Sequence, residues 1–231
     1  MSKETVFNKR LTEETTMDKV EGVLEQFNIP PAAITFIRRH KRSIQASIAV
    51  IVVAVVAWSL YGSYVEKRKE AAANALFLAD AAPDAEKSAA LVKVAEEYKD
   101  TSSSLWAEIE LAHFAMESGR FDEAAKKYAA LAKKLKENNP AKPLVVYGLA
   151  QAYEAENDYA EATAQYEYLK NLKGYEAIGF YGLSRLETAQ GNTDRAIALL
   201  NNFLLVVEND VSLSQLRPQI EKKIARLKVA P

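Results

Sequence analysis

The residue types that carry out catalysis are scarce in this sequence. It contains no cysteine, so thiolate nucleophiles, disulfides and cysteine-based zinc sites are excluded. Its two histidines, His40 and His113, are far apart in the sequence, and neither has a partner at metal-ligand spacing. The chain also has no glycine-rich phosphate loop and no G-x-S-x-G or H-E-x-x-H motif. We therefore expect neither an enzyme nor a protein with a metal or other cofactor.

The charge balance gives no reason to expect nucleic acid as a partner. The 231 residues include 30 cations and 31 anions, for a formal net charge of −1, whereas nucleic-acid binding requires a basic face. Glycine and proline are few, with 8 and 7 residues, and the abundance of Ala, Leu, Glu and Lys is typical of helices. The composition therefore favours an all-α protein.

The most apolar stretch, residues 43–65, predicts one transmembrane helix. It contains no Asp, Glu, Lys, Arg, His or Pro, and a helix of this length reaches roughly 34 Å, enough to cross a hydrocarbon core of about 30 Å. A buried core helix rarely runs this long without a charge. Side chains that favour the membrane interface flank the stretch or lie at its end, namely Arg38, Arg39, Lys41, Arg42, Trp58, Tyr61 and Tyr64.

A cleavable signal peptide is the nearer alternative to a retained anchor. However, 42 residues precede the apolar stretch, and bulky Trp58 and Tyr61 occupy its end, where a signal peptide has small residues. Four cations before the stretch and three after it favour a cytoplasmic N-terminus, with residues 66–231 outside the cytoplasm. The competing topology is a cytosolic repeat domain on an N-terminal anchor.

The N-terminal segment, residues 1–42, is predicted to be cytoplasmic. Its first 15 residues are polar and aperiodic, so we expect disorder there. Residues 16–27 show helical amphipathicity and predict a short helix that lies on the membrane, binds a cytoplasmic partner or stays solvated. From Ala32 to Ala82 only Gly62 disfavours a helix, so we expect one helix of about 50 residues, with a hinge near Gly62 as the alternative.

A short motif occurs three times after the apolar stretch. Its copies are Gly119-Arg-Phe-Asp-Glu-Ala124, Asn157-Asp-Tyr-Ala-Glu-Ala162 and Gly191-Asn-Thr-Asp-Arg-Ala196. The final alanines are 38 and 34 residues apart, and each motif follows a helical stretch in which a Leu precedes a small residue. This is the tetratricopeptide pattern, a helix, a tight turn and a second helix in about 34 residues.

The repeat spacing divides residues 66–231 into four helix pairs and a capping helix. The pairs are expected at residues 66–100, 105–137, 143–173 and 176–208, and the cap at residues 213–228. One pair cannot bury its apolar face alone, whereas a stack of three or more can. We therefore predict an all-α fold in which one N-terminal transmembrane helix precedes a tetratricopeptide-like α-solenoid.

The tetratricopeptide pattern implies a protein-binding groove formed by the first helix of each pair. The family uses mainly the second, fifth, ninth and twelfth positions of those helices. Carried onto this sequence, these positions are Trp106, Ile109, His113 and Met116, then Leu144, Tyr147, Gln151 and Glu154, then Ile178, Tyr181, Arg185 and Thr188. Such an aromatic and apolar surface suits extended or non-native polypeptide better than a charged tail, which requires a row of cations. The alternative is that several of these residues belong to the core.

The order of these features resembles a known family. The similarity is carried by Trp58–Tyr64 leading to Lys69–Ala73, and by Leu172–Ile178 leading to Gly191. Over residues 44–205 the chain is similar to the bacterial inner-membrane tetratricopeptide proteins known as ancillary subunits of the Sec translocon. The resemblance implies a periplasmic repeat domain with translocon subunits, a membrane-anchored chaperone and unfolded exported proteins as partners. The longer N-terminal segment and the more pronounced cap depart from that family.

Two functions from different classes follow from this interpretation. The first is a chaperone-like module that handles exported proteins near the Sec translocon. The second is a structural scaffold that holds folded envelope proteins together in cell-wall or outer-membrane assembly. The aromatic residues Trp106, Tyr147 and Tyr181 favour the first, because an aromatic lining binds many extended segments and a dedicated partner calls for a distinct charge pattern.

Overall fold

The structure, a computed structural model, describes residues 31–229. These residues form helices joined by short turns. The predicted all-α fold is confirmed, and the amphipathic helix expected at residues 16–27 lies outside the described residues. In chain order the elements are α1 Pro31–Arg39, α2 Lys41–Asp80, α3 Asp84–Glu97, α4 Ser102–Glu117, α5 Phe121–Lys134, α6 Lys142–Ala155, α7 Tyr159–Lys170, α8 Glu176–Ala189, α9 Thr193–Asn209, a 3-10 helix Val211–Leu216 and α10 Arg217–Val229.

Helix α2 is long and apolar enough to cross a membrane. Its most apolar 18-residue window has a mean hydropathy of 2.2, and none of that window is buried. This full exposure argues against the alternative of a buried core helix. The expected single helix from Ala32 is wrong at His40, where a turn separates α1 from α2. Helix α2 itself continues through Gly62.

The chain divides after Glu66 into an N-terminal unit and a second unit that begins at Lys67. The second unit, called the repeat domain below, contains the end of α2 and all later helices. From α4 onward each helix packs on its neighbours in the chain. One buried cluster contains Ala79 of α2, Leu91 and Val94 of α3, and Ala107 and Leu111 of α4. This cluster joins the first pair to the second.

The same turn connects the two helices in three of the helix pairs. Gly119, Asn157 and Gly191 have φ angles of 70°, 62° and 79°, a left-handed conformation that glycine adopts freely and asparagine tolerates. The amide of the next residue donates a hydrogen bond to the carbonyl five residues earlier, at 2.9, 2.9 and 2.8 Å respectively. This arrangement satisfies carbonyls at the helix end. It explains why glycine or asparagine begins each copy of the sequence motif.

Small residues bring the two helices of each of these pairs together. The last alanine of each motif is completely buried, and so is the small residue that follows the leucine of the preceding helix. Ala112 and Ala124 share one buried cluster, and Ala150 and Ala162 share the next. A larger side chain at any of these positions would push the helices apart or force neighbouring side chains out of their preferred rotamers.

Tyrosine–glycine contacts join successive pairs. The Tyr128 ring of α5 lies against Gly148 of α6, and the Tyr166 ring of α7 lies against Gly182 of α8. A Cβ atom on either glycine would come closer than 3.0 Å to the ring, a distance that real Cβ atoms essentially never show. Both tyrosines are buried, and burial raises the pKa of Tyr128 to about 12.

Helix α10 covers the end of the stack, as the sequence predicts. At the position of these tyrosines the last pair has Leu200, which is buried with Phe203 of α9 and with Ile220 and Ile224 of α10. The outer side of α10 carries exposed polar residues, among them Glu221, Lys222 and Arg226. The cap begins later than residue 213, because Val211–Leu216 forms a separate 3-10 helix.

We predict that Gly182→Ala destabilises the repeat domain, because the new methyl group has no room beside the Tyr166 ring. Overpacking of this kind costs roughly 1–3 kcal/mol in free energy of unfolding. Urea unfolding of the full chain in detergent, followed by circular dichroism, measures the change. Gly62→Ala is the matched control, because nothing lies within 4 Å of its Cβ position. Equal midpoints for Gly182→Ala and the control would contradict the proposed role of the contact.

Candidate protein-binding surface

The surface predicted to bind protein is formed by the first helix of each pair, that is, the end of α2 with α4, α6 and α8. We call it the first-helix face. Large apolar side chains remain exposed on it, with Trp106 41% and Leu144 42% exposed. His113 is exposed, and its Nε2 lies 3.5 Å from a carboxylate oxygen of Glu117 on the same helix. Met116, Tyr147, Gln151, Glu154, Ile178 and Tyr181 are half-buried, and Arg185 and Thr188 are exposed.

One residue assigned to this surface belongs to the core. Ile109 is only 4% exposed and lies in a buried cluster with Ala112 and Tyr128. It projects between the helices because it is three residues from Ala112, on the inner side of α4. The assignment of Ile109 to the groove is therefore wrong, and the binding role of the other residues stays a prediction.

A hydrogen-bonded network crosses the first-helix face from α6 to α8. Arg185 donates from Nε and Nη2 to the two carboxylate oxygens of Glu154, the second bond at 2.7 Å. The Tyr166 hydroxyl donates to Glu154 at 2.8 Å and accepts from Arg185 Nη2 at 2.8 Å. Bidentate pairing of this kind is stronger and more specific than a single contact. The network therefore fixes α6 and α8 against each other.

The network changes the ionisation of its members. Burial alone raises the pKa of Glu154, but hydrogen bonds from Arg185 and Tyr166 outweigh it and hold the pKa below its ordinary value of 4.5. Burial, followed by the hydrogen bond to Glu154, raises the pKa of Tyr166. At neutral pH the group is thus one anion, one cation and one neutral hydroxyl. It leaves no net charge at the middle of the face.

Tyr181 links this region to the cap. Its ring lies edge-on to Phe203, with centroids 5.6 Å apart, and Lys223 Nζ of α10 lies 5.0 Å from its centroid. Burial, and then the neighbouring charge of Arg185, lower the pKa of Lys223. The Tyr181 hydroxyl is buried, and no described residue forms a hydrogen bond with it. The cation Lys223 therefore lies near the C-terminal end of the face.

Sequence reasoning missed the part of the face that α2 contributes. Phe77 of α2 is 72% exposed. It lines a pocket of about 330 Å³ with Trp106, Asp80 and Glu110. The signal was present in the sequence, because Glu70, Ala73, Phe77 and Asp80 follow one another at helical spacing. It was overlooked because the first pair lacks the turn motif that set the register elsewhere.

The residues expected at a membrane interface lie on α1 and α2. Arg39, Lys41 and Arg42 are exposed near the start of α2, and Trp58, Tyr61 and Tyr64 are exposed within it. Arg38 lies on α1. Within residues 31–229, no three His, Asp or Glu side chains converge as metal ligands.

Comparison with known proteins assigns the fold to a family. A profile of the tetratricopeptide repeat-like domain matches residues 35–178. Because this match covers more than half of the chain, the protein belongs to the tetratricopeptide repeat-like family. Two crystal structures of nearly identical TPR-like repeats from Podosopora anserina are similar to it, each with 17% sequence identity and a TM-score of 0.46. The alignments cover 72% of this chain and 94% and 93% of those chains.

No curated protein matches the chain. Tetratricopeptide-like stacks present extended binding surfaces and are typically scaffolds for protein–protein interaction rather than enzymes. The family match begins at residue 35, before the apolar stretch, so it includes the candidate span as well as repeats. Membership thus supports a protein-interaction module that carries one candidate membrane helix.

We predict that Glu154→Gln destabilises the fold in a pH-dependent way. The folded-state pKa of Glu154 lies below 4.5, so its ion pair stabilises the fold fully above pH 4.5 and is lost as the pH falls through the folded-state pKa. At pH 7 the free energy of unfolding should drop by about 1 kcal/mol, because the pair is partly open to solvent. Urea unfolding at a series of pH values measures this.

The difference in free energy of unfolding between wild type and Glu154→Gln should shrink below pH 4.5. The matched control is Glu208→Gln, which breaks an exposed pair with Arg217 at 2.6 Å and should change stability by less than about 0.5 kcal/mol. A difference between Glu154→Gln and wild type that grows in acid would show that the sign of the linkage is wrong.

Proposed function

We propose that the protein is a membrane-anchored chaperone-like module that binds extended segments of exported polypeptides on its first-helix face. The observation that carries the proposal is the exposure of large apolar side chains on this face, Phe77, Trp106 and Leu144. Unfolded chains expose such side chains at irregular intervals, and a face with separate apolar contacts accepts many sequences. The guanidinium of Arg185 on this face is already paired with Glu154.

The proposed location is the inner membrane of a bacterium, with the repeat domain in the periplasm. The exposed apolar helix α2 supports the anchor, and the cation excess before the apolar stretch supports a cytoplasmic N-terminus. The proposed partners are subunits of the Sec translocon, a membrane-anchored periplasmic chaperone and unfolded exported clients. They rest on the resemblance of the span, the continuing helix and the repeats to the ancillary translocon subunits.

Site-specific crosslinking tests the proposed clients. A photo-crosslinking amino acid at Trp106 or Tyr147 should trap many exported proteins together with translocon subunits. The matched control position is Leu205, which is 58% exposed but lies on α9, a second helix. It should trap few clients, because it lies outside the first-helix face. Recovery of one folded envelope protein without translocon subunits would instead favour the scaffold function.

Protease accessibility tests the proposed topology. Protease added to intact spheroplasts should digest the repeat domain, because a periplasmic domain is exposed once the outer membrane is opened. A cytoplasmic protein detected in the same samples serves as the control for an intact inner membrane. If the repeat domain survives until the inner membrane is lysed, the domain is cytoplasmic, and exported clients in the periplasm are ruled out.

A further inference from the structure

The pocket between α2 and α4 differs chemically from the rest of the first-helix face. It has a volume of about 330 Å³ and is lined by Ala73, Leu76, Phe77, Asp80, Ser103, Trp106 and Glu110. Its walls are apolar and include two aromatic residues, Phe77 with 72% and Trp106 with 41% of its surface exposed. Its only charged lining residues are the carboxylates of Asp80 and Glu110. The pocket thus combines an apolar interior with an acidic rim.

The helices that form the pocket continue the same charge pattern. On α2, Glu70 lies seven residues before Phe77 and therefore on the same side of the helix. On α4, Glu117 lies seven residues after Glu110 and likewise shares its side. The neighbouring cation is Lys87 of α3, which is bound to Asp80 at 2.7 Å. Two lining carboxylates against this one neighbouring lysine leave an excess of negative charge at the pocket.

The chain itself does not neutralise the second rim carboxylate. Among the described residues, Glu110 forms no ion pair, and it is half-buried beside the Trp106 side chain. Its field nevertheless reaches Lys87, because it contributes to raising the pKa of that lysine after the hydrogen bond to Asp80. A cation brought to the rim by a ligand would therefore meet an unpaired carboxylate in a partly desolvated place.

We propose that this pocket selects an extended polypeptide segment in which a bulky apolar side chain is flanked by lysine or arginine. The apolar side chain fills the space between Phe77 and Trp106, and the flanking cations pair with Glu110 and with the acidic sides of α2 and α4. This proposal rests on the proposed function and adds the chemical class of the segment that is preferred. It also gives the bound segment a direction, because the cation Lys223 lies at the opposite end of the face.

Peptide binding to the full chain in phosphatidylcholine nanodiscs tests the proposal. The chain has two tryptophans, so Trp58→Phe leaves Trp106 as the only fluorescent tryptophan, inside the pocket. Three capped peptides serve as probes. They are Ser-Lys-Leu-Leu-Lys-Ser, its glutamate counterpart Ser-Glu-Leu-Leu-Glu-Ser, and Ser-Lys-Ser-Ser-Lys-Ser, which keeps the charge and lacks the apolar core. Empty nanodiscs report any binding of peptide to lipid.

The lysine–leucine peptide should shift Trp106 emission and bind about fivefold more tightly than the glutamate–leucine peptide. The lysine–serine peptide should bind weakest. Phe77→Ala should weaken binding of the lysine–leucine peptide by about tenfold, because it removes one wall of the pocket. Glu110→Gln should weaken binding of the lysine–leucine peptide about threefold and should not weaken binding of the glutamate–leucine peptide, because it removes a like charge from the rim. Higher salt should reduce the preference.

Two control variants make the same kinds of substitution at positions outside the pocket. Leu205→Ala removes an exposed apolar side chain from α9, and Glu96→Gln neutralises an exposed carboxylate on α3. Neither should change the affinity for any of the three peptides. Circular dichroism of all four variants distinguishes a loss of binding from a loss of folding, and Phe77 and Glu110 are exposed or half-buried, so the fold should persist.

The outcomes separate failure of this proposal from failure of the proposed function. If both leucine peptides bind equally well, or if Phe77→Ala and Glu110→Gln bind like the controls, the selective pocket is refuted while the first-helix face still binds extended polypeptide. If no leucine peptide binds and crosslinking from Trp106 also recovers no exported protein, the proposed function itself is wrong.

Discussion

The packing of a tyrosine ring onto a glycine holds successive helix pairs in register. Tyr128 on Gly148 and Tyr166 on Gly182 each occupy the space that a Cβ atom would take. Because interiors are close-packed, a contact without spare volume fixes the distance and rotation between neighbouring pairs. These contacts set the positions of the first helices α6 and α8 relative to the pairs that precede them. The last pair has Leu200 instead, and there the capping helix replaces a further repeat.

The same contact shapes the surface that we propose for binding. The Tyr166 ring is buried against Gly182, while its hydroxyl reaches the first-helix face and bonds to both Glu154 and Arg185. Core packing and surface electrostatics are thus joined through one side chain. The network pairs the charges at the middle of the face with each other. The face therefore has an acidic rim near Phe77 and the cation Lys223 at its other end. A stack built from similar repeats therefore presents a chemically graded surface.

Much of the fold could be predicted because local requirements are visible in the sequence. Gly119, Asn157 and Gly191 mark the turns, since a left-handed residue is required there and few residue types accept it. The site was less predictable. Ile109 was assigned to the wrong side of α4, because positions one residue apart on this helix can be exposed or buried. The Arg185–Glu154 pair joins residues 31 apart, so it becomes visible only once the helices are stacked.

The central claim is that the first-helix face binds extended polypeptide. Hydroxyl-radical footprinting of the full chain in nanodiscs, with and without an unfolded exported protein, tests it most directly, because it reports side-chain exposure residue by residue. Our account predicts that Phe77, Trp106 and Leu144 lose reactivity on binding, whereas Val92 on α3 and Leu205 on α9, which are also exposed, keep it. Protection of Val92 and Leu205 with no change at Trp106 would contradict the account.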